Sequence, residues 1–148
     1  QVATGHKGKV ALRATCTGRE GHSALAPLAL NALHLGADFL GAVRRLQAEV
    51  AETGLRDGDY DVPYSTLHVG KMSGGVQVNI VPNHAVLDFE IRSLAGEDVG
   101  ALIARLEAEA EAIVAPCGPT SLRRRSGWSG CGTIRGLARR RMRGWSTS

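Results

Sequence analysis

Three polar side chains stand where they could meet a small polar ligand. His22 lies in GREGHSALAP (residues 18–27), a glycine-flanked stretch between two patterned segments. Such a loop can hold an imidazole outward, where a ring N–H would donate to an oxygen gaining negative charge. A surface histidine on a turn is the plainer alternative. Asn79, in VQVNIVPN (residues 76–83), offers an amide, and Arg92, in DFEIRS (residues 88–93), offers a planar fork of donors suited to a carboxylate. Arg92 could equally pair with Asp88 or Glu90 and do nothing more.

Other chemistries find no support. The five histidines (His6, His22, His34, His68 and His84) are dispersed, with no HxxEH or HxD arrangement. His84 and Asp88 share a spacing of four, but beside Glu90 and Arg92 they read as a solvated charged strand face. There is no GxSxG elbow, no phosphate-binding GxxxxGK[ST] loop and no GxGxxG turn. This chain by itself is expected to hold no catalytic metal. Cys16, Cys117 and Cys131 are odd in number and lack a CxxC pair. That opposes a disulfide scaffold and a zinc finger and fits a reducing cytoplasm. Cys16 reads as a small buried hydrophobe.

The elements that must position these groups follow from hydrophobic periodicity. Residues 9–17 alternate, with Val10, Leu12, Ala14 and Cys16 on one face, as a half-buried strand does. Over residues 28–52, Leu33, Ala37, Leu40, Val43, Leu46 and Val50 recur every three or four positions. This is an amphipathic helix with Asn31, Asp38, Arg45 and Glu49 for its wet side and Gly54 as its stop. Strands are expected at 65–72, at 76–80 with Val76, Val78 and Ile80 turned one way, and at 84–93 with Leu87, Phe89 and Ile91 inward. A second helix after Gly96 buries Val99, Leu102, Ile103, Leu106, Ala110, Ile113 and Val114. The order β-α-β-β-β-α, with one further strand needed, predicts an α+β ferredoxin-like plan: an antiparallel sheet covered by two helices on one face, its last strand in doubt.

Charge divides the chain at about residue 115. The first 115 residues hold all fourteen acids against ten bases, whereas residues 116–148 hold eight Arg and no acid. The net charge of +4 is therefore a property of the tail, and the body is acidic. The tail has neither a two-residue nor a 3.6-residue period. Arg without Lys, among Gly, Ser and Trp, is what GC-rich DNA yields out of frame. That reading is preferred to a disordered extension, and both to a basic nucleic-acid arm. No apolar run is long enough to span a bilayer, no export signal is visible, and a start at Gln1 suggests a fragment.

The segments HKGKVALRATCTGREGHSALAP (residues 6–27) and DVPYSTLHVGKMSGGVQVNIVPNHAVLDFEIRS (residues 61–93) closely resemble the lid, or dimerisation, domain of the dinuclear zinc exopeptidases and deacylases. That family includes acetylornithine deacetylase, succinyl-diaminopimelate desuccinylase, carboxypeptidase G and aminoacylase. The resemblance runs from His6 to about Ala115, and DVPYSTLHVG points to the acetylornithine branch.

The resemblance implies a cytoplasmic homodimer joined through this domain and a catalytic domain elsewhere that holds two zinc (or cobalt) ions. It implies a small acylated amino acid as substrate and N-acetylornithine hydrolysis in arginine biosynthesis as the activity. His22 would stabilise the oxyanion across the dimer, while Asn79 and Arg92 would bind substrate, Arg92 through its carboxylate. The isolated chain, lacking the metal ligands, is expected to be inactive. The alternative is a ferredoxin-like binding or regulatory module, reaching nucleic acid through the tail. Such modules stack bases on strand aromatics, and here only Phe89 lies on an expected strand, facing the core. No membrane partner is expected.

Overall fold

The computed structural model describes residues 5–117 and 133–139. Its centre is a four-stranded antiparallel sheet in the order β3-β5-β1-β6, made of β1 (Gly8–Thr17), β3 (Thr66–Gly74), β5 (His84–Ser93) and β6 (Thr133–Arg139). A separate two-stranded piece pairs β2 (Gly21–His22) with β4 (Ile80–Val81). Two helices, α1 (Ala32–Thr53) and α2 (Val99–Val114), cover one face of the main sheet. The expected α+β plan is the observed one.

Alternation in β5 sets the two faces. Ala85, Leu87, Phe89 and Ile91 are buried under the helices, and His84, Asp88, Glu90 and Arg92 lie on the uncovered side. Opposite them in β1, Leu12, Ala14 and Cys16 point inward. From α1, Leu35, Phe39, Val43, Leu46 and Val50 close the core. Each large apolar side chain so buried contributes about 1.5–3 kcal/mol. Phe39 meets Phe89 edge to face, with centroids 5.7 Å apart, and so ties helix to sheet. From α2, Leu102, Leu106 and Ala110 complete the layer.

Four details depart from the periodicity. First, α1 starts at Ala32, not at residue 28. Asn31, read as a wet-side residue, caps it instead, its Oδ1 accepting from Leu33 N at 2.9 Å and His34 N at 3.2 Å. Pro27 sits in a separate 3-10 segment, Ser23–Leu28. Second, the buried stripe of α1 is turned so that Ala37 is exposed and Phe39 takes the core position. Third, the strand expected at residues 76–80 is absent apart from Ile80. Gly75, at φ +83°, turns the chain out of β3, and Val76 and Val78 face solvent instead of sharing an inward face with Ile80. Fourth, Thr133–Arg139 supplies the missing strand, running antiparallel to β1, although its sequence carries no two-residue period. The rest of the Arg-rich tail, residues 118–132 and 140–148 with Cys131, lies outside the described residues.

Candidate functional site

The β2–β4 pair builds the site. Gly21 pairs with Val81 and His22 with Ile80, and one step further Ser23 N donates to the Asn79 carbonyl at 3.0 Å. This small sheet is held to the main body by backbone bonds on both strands. Gly18 N donates to Asn83 O at 2.8 Å and Ala32 N to Pro82 O at 2.9 Å, while Arg19 and Leu30 exchange two bonds of 2.8 and 3.0 Å. His22 and Asn79 thus lie on neighbouring strands, Asn79 opposite Ser23, and both are exposed.

The His22 ring is oriented by its own backbone. Nδ1 accepts a hydrogen bond from Ala24 N at 3.1 Å, capping the 3-10 segment. A neutral imidazole that accepts at Nδ1 carries its proton at Nε2. The outward nitrogen is therefore a hydrogen-bond donor. The side-chain amide of Asn79 makes no hydrogen bond among the described residues, and its backbone lies one pairing step from His22.

Arg92 is elsewhere. It lies near the far end of β5, eight residues from His84, which is roughly 26 Å of extended strand. The β2–β4 piece joins the body at the His84 end, through Asn83. The three sequence-picked residues are therefore one adjacent pair and one distant partner. Arg92 Nε donates to Glu90, to which Lys9 also pairs at 3.4 Å. Burial pulls the Glu90 carboxyl upward, but the hydrogen bonds and charges of Arg92 and Lys9 outweigh it and hold the group below its ordinary value. The neighbouring Asp88, set beside His84 in the sequence reading, is gripped by Arg13 in a fork of 2.7 and 2.9 Å. That fork raises the guanidinium's pKa. The open face of the sheet is a laced charged surface, as read for His84 and Asp88.

Cys16 is fully buried, and burial pushes its thiol up to about 11, so it serves the core. Among the described residues, no three His, Cys, Asp or Glu side chains converge to hold a metal ion. No described helix is long and apolar enough to cross a membrane.

Sequence reasoning missed a groove of about 510 Å³ that Ser23 helps to line. Its walls include Val76, Val78, Leu33 and Ile80, the last being the cross-strand partner of His22. Alternation had turned both valines inward. The signal against that was Gly74-Gly75 just before them, where a positive φ can end a strand.

The family model for the peptidase dimerisation domain matches residues 4–116. Acetylornithine deacetylase of Aliivibrio salmonicida (strain LFI1238) is 32% identical over 92 residues, covering 62% of this chain and 24% of that protein. Succinyl-diaminopimelate desuccinylase of Ralstonia pickettii (strain 12J) is 31% identical over 108 residues, covering 72% of this chain and 26% of that protein. The chain thus spans about a quarter of the length of the curated relatives it matches. Among solved structures, an amidase of the hydantoinase/carbamoylase family from Burkholderia multivorans aligns with 90% of this chain and 28% of its own, at TM-score 0.65 and 18% identity. Aminobenzoyl-glutamate utilization protein from Klebsiella pneumoniae aligns with 90% of this chain and 29% of its own, at TM-score 0.60 and 18% identity.

Proposed function

The chain belongs to the peptidase dimerisation domain family, and from that premise we propose that it caps the active site of an amidohydrolase acting on N-acylated amino acids, N-acetylornithine first among them. The observation that carries this is the His22 ring. Its Nδ1 is tied to Ala24 N, so Nε2–H is left for a ligand, with Asn79 on the neighbouring strand. A donor fixed in this way suits an oxygen that becomes negative as an amide is attacked. The zinc or cobalt ions implied by the resemblance would be held by chain outside this domain, a reading supported by the lack of converging donors among the described residues. By itself the chain would be inactive.

The distance to Arg92 constrains the assembly. An acylated amino acid is about the length of a dipeptide, roughly 7 Å. It cannot touch His22 and Arg92 of the same protomer, which are separated by most of the length of β5. If both contact substrate, they serve different active sites of a dimer. A second copy has a surface to join: β3 is an edge strand, so the backbone groups along its outer side face away from the sheet. The one aromatic on a described strand, Phe89, is buried under the helices, which lends base stacking no support among the described residues.

The test uses the complete polypeptide that carries this domain. His22→Asn keeps an acceptor near the Nδ1 position but removes the Nε2 donor. It should lower kcat for N-acetylornithine by about 10²–10³ while leaving the melting of the domain unchanged. An unaltered kcat would remove the proposal. Arg92→Ala should raise KM, and an unmoved KM would strike out its carboxylate role.

A further inference from the structure

Building on the reading just given, we propose that Val76 and Val78 are positioning residues: they seat in an uncharged apolar hollow on the catalytic part of the complete protein and so fix His22 and Asn79 over the reacting bond. Val76 is 82% and Val78 103% exposed, the two most exposed large apolar side chains among the described residues. A frayed loop would explain that, but this one is held. Gly75 redirects it at φ +83°, Ile80 N closes a turn onto Gln77 O at 3.2 Å, and Asn79 O is bound by Ser23 N. Backbone bonds thus keep two β-branched side chains out in water.

Their surroundings narrow the choice of occupant. No charged residue lines the adjoining groove, so neither a metal, a phosphate nor a nucleic acid is matched there. The groove includes Ser23 and Ile80, the chain neighbour and the pairing partner of His22, so whatever covers the valines sits one residue from the histidine on both strands. Leu25 and Leu28, each 56% exposed, add apolar surface on the 3-10 segment that follows His22. The curated relatives are about four times as long as the matched stretch, so a large body of further chain is available to bury this end. Docking at the valines would set the position of a histidine that is rigid relative to them.

The test again takes the complete polypeptide. Val76→Ser with Val78→Ser should lower kcat by about tenfold or more, because a misplaced donor loses rate at the chemical step. KM should stay within about twofold. Val76→Ile with Val78→Ile should restore kcat. The isolated chain should melt unchanged in both variants, since these side chains are exposed within it. If the serine variant keeps its kcat while His22→Asn loses it, this inference fails and the capping role stands. If His22→Asn is silent, both fall. If the serine variant instead dissociates a dimer of the isolated chain with kcat intact, the valines serve self-association and the inference is overturned.

Discussion

Gly18→Ala should loosen the candidate site while leaving the main sheet in place. A Cβ at Gly18 would stand 2.1 Å from the Leu30 carbonyl oxygen and 2.9 Å from Ala32 N. These are backbone atoms, and the second begins α1, so neither can swing aside as a side chain would. To restore ordinary contact the two segments must separate by about 1 Å, which breaks the paired Arg19–Leu30 bonds of 2.8 and 3.0 Å. It also strains the 2.8 Å bond from Gly18 N to Asn83 O. Two or three backbone bonds at about 0.5–1.5 kcal/mol each give a loss of roughly 1–4.5 kcal/mol, with a middle value of about 2.5 kcal/mol. For a domain of this size that is about 10 °C of melting midpoint. The assay is thermal denaturation of the purified chain followed by circular dichroism, with hydrogen exchange at the Arg19 and Leu30 amides. The far-ultraviolet spectrum should be retained while those two amides exchange faster. A midpoint within about 2 °C of wild type, with their protection unchanged, would refute the close-approach argument.

Asn31→Ala removes the acceptor of two amides at the start of α1 and should cost about 1 kcal/mol in denaturant unfolding. Glu90 has a folded pKa below its ordinary 4.5, so it adds stability above that value and loses it as pH falls through the folded one. Melting midpoints between about pH 6 and 3 should fall more steeply for wild type than for Glu90→Gln, and parallel curves would contradict the Glu90 pairing. Cys16, buried with its thiol near 11, should resist iodoacetamide in the native chain and react once denaturant is added, read by mass spectrometry of its peptide.

Much of the scaffold was legible because burial on one side imposes a period. β1, β5 and α2 place their apolar residues as the alternation and the helical stripe predict. What was not legible depended on contacts distant in sequence or on single dihedrals. The apolar spacing continued back past residue 28, yet α1 begins where Asn31 reaches the free amides. Val76 and Val78 kept a strand's alternation, but one positive φ at Gly75 removed them from the sheet. Thr133–Arg139 pairs along β1 without an apolar rhythm to announce it, because an edge strand draws on its neighbour's backbone more than on its own side chains. For the site, residue types singled out His22, Asn79 and Arg92. Pairing of two-residue strands is too short to leave a pattern, so the adjacency of the first two and the remoteness of the third emerged only in three dimensions.

The small β2–β4 sheet has a bearing on how such a domain diversifies. Two of its attachments to the body, from Gly18 to Asn83 and from Ala32 to Pro82, are made by main-chain atoms. The side chains it displays are therefore largely uncoupled from what holds it up. Exchanging residue 76, 78 or 79 alters the displayed side chains at little expense to folding, so this surface can change by single substitutions without a compensating change in the core.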